Sequence, residues 1–345
     1  MSTLQKIKNC CIFLWLTIIG CTGNTSPQLD TALLSASTLP IVDMQSSSYM
    51  NIFTGGLYGQ GNNIRPVIST QHGIEAARRI TPRLTNGQPS PLGRSIVLSI
   101  GMSNMSQEWC GNYTQTATVP CTQWSFTNQS RLDTQRSRTI MIANGAMYSQ
   151  TNLYWDSPTE VNYSIVASRL TNAGFSEQQV QVVFLKIANR QPATSLPAAN
   201  ADVYQLITST GNIIRALRQR YPNLQMVYIL TRTYAGYTTL RLSPEPFAYE
   251  GGFAVQHVVN ASIHQDTTGI VDARAGDLSG VWIGWGPYYW TNGSTPRSDG
   301  FTWNRADTES DGIHPSTSGE TKIASLLLTF MRTDATTCWY RTAGC

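Results

Sequence analysis

Ser95-Ile-Val-Leu-Ser-Ile-Gly-Met-Ser-Asn104 is the stretch from which the fold is read. Ser95 to Ile100 is a continuous apolar run with β-branched residues, the mark of a strand buried on both faces of a parallel sheet. It runs straight into Gly101-Met102-Ser103-Asn104. A serine placed after a glycine at the carboxyl end of such a strand is a candidate nucleophile. The glycine allows a tight turn, and a following helix or turn aims N–H groups at any charge that develops there.

Four further runs resemble this strand: Thr139–Ala143, Val180–Ile187, Gln225–Leu230 and, more weakly, Gly280–Ile283. Between them lie segments with helical periodicity at 70–80, 161–173, 201–221, 247–263 and 317–330. Gly174 and Pro222 stand where two of these helices should stop. Alternating strands and helices predict an α/β fold: a three-layer α/β/α sandwich around a mostly parallel sheet of about five strands, with chemistry at the carboxyl ends of the strands. No internal repeat breaks the pattern.

Asp311-Gly-Ile-His314-Pro315 precedes the last predicted helix. A carboxylate three residues from an imidazole on one loop can fix its tautomer, leaving the second ring nitrogen free to take a proton from Ser103. The chain has four histidines, and His314 alone has a carboxylate so placed; His72, His257 and His264 read as surface or packing residues on helices.

Taken with their order along the chain, these residues resemble the SGNH hydrolase superfamily, the GDSL-like esterases. The resemblance covers about residues 95–331. Gly-Met-Ser103-Asn-Met departs from Gly-Asp-Ser-Leu and is nearer the Gly-Gln-Ser-Asn-Met block of sialate O-acetylesterase-like members. The resemblance implies an SGNH/flavodoxin-like fold and a serine esterase with Ser103, His314 and Asp311 as catalytic triad. It further implies an oxyanion hole from the N–H groups of Ser103 and Gly145 and the side chain of Asn189, although the family usually shows Gly-x-Asn-Asp at the last position. No metal or cofactor is implied. Short-chain esters, acetyl above all, on carbohydrate are the substrate expected from this analogy. A lipase or acyl-chain esterase of the same fold and a non-catalytic glycan-binding protein are the alternatives. Trp282, Trp285, Tyr288 and Trp290, shortly before Asp311, either line a substrate-stacking wall or pack their loop onto the body, and packing is the favoured reading.

Composition sets the context. Of 345 residues, 13% are charged and 41% hydrophobic, and the net charge of +4 is spread without a basic patch, which argues against nucleic acid as a partner. Lys6 and Lys8 precede an apolar stretch, Cys10–Gly20, too short to span a bilayer. Residues 1–20 therefore read as a signal peptide. Ile18-Ile-Gly-Cys21 resembles a bacterial lipobox, with Cys21 as the lipidated residue, a Ser/Thr-rich tether over 21–45 and the hydrolase domain over 46–345. The expected location is outside the cytoplasm, as a cell-envelope lipoprotein touching the membrane through its lipid only, or freely secreted. Cys110, Cys121, Cys338 and Cys345 remain, an even number that suggests disulfides. Three pairings are open, of which Cys110–Cys121 with Cys338–Cys345 closes the shortest loops.

Overall fold

The structure is a computed structural model that describes residue 35 and residues 38–111 and 120–345. The expected leader, Cys21 and most of the expected tether lie outside the described residues. The end of that tether does not behave as one. Ile41 is fully buried, its N–H donates to the Tyr288 hydroxyl at 3.2 Å, and the Tyr249 hydroxyl donates to the Leu39 carbonyl at 2.8 Å. The folded body thus begins before residue 46.

In chain order the elements are β1 (Ser48–Tyr49), β2 (Phe53–Thr54), α1 (Val67–Arg78), β3 (Ser95–Gly101), α2 (Ser103–Cys110), α3 (Phe126–Leu132), β4 (Ile140–Asn144), α4 (Val161–Asn172), β5 (Val180–Lys186), α5 (Asp202–Arg220), β6 (Met226–Ile229), α6 (Phe247–Thr268), β7 (Trp282–Trp285) and α7 (Thr317–Thr333). β1 and β2 form a small antiparallel hairpin. The other five strands form one parallel sheet in the order β4-β3-β5-β6-β7, the flavodoxin-like order with the first and second strands exchanged at one edge. The expected three-layer sandwich is the observed one.

Two apolar layers sandwich the sheet. Leu98, Val183, Leu185, Val227 and Ile229 point to the layer that includes α4, α5 and α6. Val97, Val182, Phe184, Met226 and Tyr228 point to the other, with Met105 and Trp109 of α2 and Ile323 and Leu327 of α7. Every residue of β3 and β5 is buried, which is why their sequences are continuously apolar instead of alternating.

The helix ends follow local chemistry. Ser316 caps α7 by accepting from the Gly319 N–H. α6 runs on past the predicted end to Thr268 and stops at Gly269, which is left-handed with φ of 73°. Arg65 pairs bidentately with Asp334 at 2.7 and 3.1 Å, tying the segment before α1 to the end of α7. Disulfides join Cys110 to Cys121 and Cys338 to Cys345. Among the described residues no helix is long and apolar enough to cross a membrane.

Candidate active site

β3 ends at Gly101, which lies beside Lys186 of β5. A Cβ at Gly101 would run into the Lys186 carbonyl oxygen, so only glycine lets the two strands close here. Met102 is the N-cap of α2 and Ser103 its first residue. The Ser103 N–H therefore has no intrahelical carbonyl to bind, and the dipole of α2 is positive at this end.

The Asp311–His314 loop comes to this point from the other end of the chain. Ser103 Oγ lies 2.8 Å from His314 Nε2, and His314 Nδ1 lies 2.5 Å from Asp311 Oδ2. Asp311 Oδ1 accepts from the backbone N–H groups of Ile313 and His314, each at 3.0 Å, so one carboxylate shapes the loop and orients the ring together. Gly312 is left-handed with φ of 73°, and a side chain there would strike the Tyr237 carbonyl. The Asn104 amide donates to the Ile313 carbonyl at 2.8 Å and so fastens the loop to α2. No local pattern singles out this role for Asn104.

The carboxylate can only accept a hydrogen bond, so His314 carries its proton on Nδ1 and offers Nε2 to the Ser103 hydroxyl. Burial pushes the Asp311 carboxyl up. The bonds from His314 and from the Ile313 N–H outweigh that push and hold it below the usual carboxylate range. Ser103 and His314 are 8% and 5% exposed, a largely desolvated setting in which a directed hydrogen bond carries more weight than in water. A serine, a base and an orienting carboxylate in this arrangement can support attack of the hydroxyl on a carbonyl carbon.

The other expected site residues lie elsewhere in function. The Gly145 N–H donates to Ser99, to its carbonyl at 3.0 Å and its hydroxyl at 3.2 Å. It is turned back onto β3 and is not offered to an oxyanion. The Asn189 amide donates to the Asp202 carbonyl at 2.6 Å, and its oxygen accepts from Asn152 at 2.9 Å. Both ends of that side chain are held in the joint between β5 and α5. Of the three expected oxyanion donors, the Gly145 N–H is spent on Ser99, the Asn189 amide is held by Asp202, and the Ser103 N–H has no intrahelical acceptor. For the aromatics before Asp311, packing is what the structure shows. Trp282, Trp285, Tyr288 and Trp290 are all 5% exposed or less. Trp282 donates to Ser69, Trp285 to Leu57 and Trp290 to Glu245, so these rings pack the β7 region onto the body.

The aromatic ring that does stand over the site is Tyr148, on the loop after β4. It lies nearly parallel to the His314 ring at 5.9 Å and is half exposed. Below the site, Lys186 Nζ bonds both oxygens of Glu108 at 2.6 and 2.8 Å, and both side chains are buried. Sequence patterning missed this pair because it joins β5 to α2 across 78 residues. Among the described residues no cluster of three or more His, Cys, Asp or Glu is placed to ligate a metal.

No protein-family model and no curated protein matches the chain. Solved structures that resemble it include a family two carbohydrate esterase from Clostridium thermocellum in complex with cellohexaose, with 17% identity, 71% of this chain and 65% of that one covered, and a TM-score of 0.38. A family two carbohydrate esterase from Cellvibrio japonicus aligns at 11% identity over 73% of this chain and 64% of its own, with a TM-score of 0.39. An extracellular lipase from Streptomyces rimosus aligns at 14% identity over 68% of this chain and 99% of its own, with a TM-score of 0.34. The chain thus spans less than two thirds of either carbohydrate esterase. Likenesses this distant say nothing about what this chain acts on.

Proposed function

We propose that the chain is a serine esterase of the SGNH type, with Ser103 as nucleophile, His314 as general base and Asp311 as the group that orients and stabilises His314. The observation that supports this best is the continuous contact from Ser103 Oγ through the His314 ring to Asp311, built from two ends of the chain at the carboxyl edge of a parallel sheet. In this scheme Ser103 attacks the ester carbonyl while His314 takes its proton. The alkoxide leaves with that proton, and a water then enters by the same route to release the acid. Oxyanion stabilisation begins with the Ser103 N–H at the head of α2.

We further propose that the ester is short, with acetyl groups on carbohydrate as the first class to test, and that Tyr148 forms one wall for the sugar. Stacking of a half-exposed ring beside a nucleophile is what a sugar face would use. The leader and Ile18-Ile-Gly-Cys21 support export with lipidation at Cys21. Hydrolysis of p-nitrophenyl acetate, of longer p-nitrophenyl esters and of an acetylated polysaccharide by residues 22–345 tests the assignment. Turnover that falls with acyl length and includes acetate release from the polysaccharide is expected. A preference for long chains would replace it with a lipase, and no turnover on any of them would remove the esterase.

A further inference from the structure

Arg232 follows β6 and is 6% exposed, yet among the described residues its guanidinium makes no hydrogen bond and no ion pair within 4.0 Å. Its charge acts on Glu108 and Lys186, the pair beneath Ser103, and on Glu245. A guanidinium placed only to neutralise carboxylates would grip one of them through its planar fork. This one stands off from both Glu108 and Glu245, with its donors unspent.

Its position follows from the register. Gly101 of β3 lies beside Lys186 of β5, Leu185 lies beside Ile229 of β6, and the Leu230 N–H continues the ladder onto the Leu185 carbonyl. Two residues on from these positions stand Ser103, already the first residue of α2, Ala188 and Arg232, all at the carboxyl edge of the sheet. Lys186 and Leu230 face the layer of α2 and α7, and the Arg232 charge acts on Glu108 of α2 in that layer. β5 alone stands between β3 and β6, so these two strands end two strand spacings, about 10 Å, apart. An arginine side chain has the length to cross much of that interval toward an acyl carbonyl held at Ser103.

We infer that Arg232 is the electrophilic donor of this site, hydrogen-bonding the ester carbonyl oxygen as it becomes an oxyanion. This rests on the esterase assignment and supplies a donor where the Gly145 N–H is spent on Ser99 and the Asn189 amide is held by Asp202. A developing oxyanion suits the surroundings better than a permanent anion. The formal charges of Arg232 and Lys186 balance those of Glu108 and Glu245, and an ester enters that balance neutral. Its oxygen gains charge only as His314 gains the opposite one.

The test is kcat and KM of full-length protein and of Arg232→Lys and Arg232→Gln on p-nitrophenyl acetate and on mono-p-nitrophenyl succinate, with melting curves for each. Arg232→Lys keeps the buried charge and is expected to fold. Loss of a principal oxyanion donor lowers kcat by roughly 10²–10³-fold in Arg232→Gln, less in Arg232→Lys, equally on both esters and with little change in KM. Folded variants with wild-type kcat on acetate overturn the assignment and leave Ser103 standing. A rise in KM confined to the succinate ester overturns it in favour of an anion-binding subsite. A wild type that turns over neither ester removes the esterase and this inference with it.

Discussion

Replacing Asp311 by Asn tests how the site is wired, because the two oxygens of Asp311 do different jobs. Oδ1 accepts two backbone N–H groups, and Oδ2 faces His314 Nδ1. An amide can satisfy only one of these roles. If its oxygen keeps the two backbone bonds, worth about 1 kcal/mol each, its NH2 faces Nδ1. The ring must then protonate at Nε2, which points at Ser103 Oγ and can no longer accept from it. If the amide flips, two N–H donors lose their acceptor and the loop carrying His314 loosens. The first arrangement preserves the loop, so Asp311→Asn should fold with a melting temperature near wild type. Its kcat should fall by roughly 10³–10⁴, the scale known for a wrong tautomer in a Ser-His-Asp site, which is about 4–5.5 kcal/mol of barrier. The assay is kcat on p-nitrophenyl acetate for wild type, Asp311→Asn and Asp311→Ala, with circular dichroism of each. A folded Asp311→Asn within about tenfold of wild type would refute the idea that this carboxylate sets the tautomer.

Trp282→Ala should cost about 3–5 kcal/mol in denaturant unfolding with KM nearly unchanged, because the ring is buried and hydrogen-bonded to Ser69; unchanged stability with a raised KM would return it to a substrate wall. Tyr148→Ala should raise KM for an acetylated oligosaccharide more than for p-nitrophenyl acetate, and equal effects on both would remove Tyr148 from sugar binding. Burial pushes the Glu250 carboxyl up to about 8, offset in part by the Leu196 N–H. A folded pKa above the ordinary 4.5 means that the fold holds a proton the unfolded chain has lost, so this group's contribution is full below about pH 4.5 and declines up to about pH 8. The slope approaches about 1.4 kcal/mol per pH unit at most, and melting curves of Glu250→Gln should be flatter with pH than wild type over that window; identical slopes would contradict it.

How much of this was legible follows from what each signal reports. β3, β4, β5 and β6 were readable because strands buried on both faces have few choices besides apolar, β-branched residues. Asp311 and His314 were readable because their interaction is local, three residues apart on one loop. α2 was not resolved from a turn, since Ser103–Cys110 is short and polar and buries all eight residues through tertiary contacts. The tryptophans before Asp311 left two readings open for a related reason. Trp282 and Trp285 belong to β7, where Gly73 of α1 and the Leu57 carbonyl receive them, and no local pattern tells an edge strand covered by other segments from an exposed aromatic loop. The oxyanion donors failed differently. A residue name gives no direction to an N–H, and Gly145 and Asn189 sit after the expected strands while donating to Ser99 and Asp202. Glu108–Lys186 and Arg65–Asp334 join residues 78 and 269 positions apart, beyond any pattern in the chain.

Covalent capture of the nucleophile tests the central claim most directly. Full-length protein, Ser103→Ala and His314→Ala would each be treated with a fluorophosphonate and the labelled peptide identified by mass spectrometry. One equivalent on Ser103 in wild type, with none in Ser103→Ala and far slower labelling in His314→Ala, is the predicted result. No adduct in wild type, or an adduct on another residue that survives in Ser103→Ala, would contradict the account.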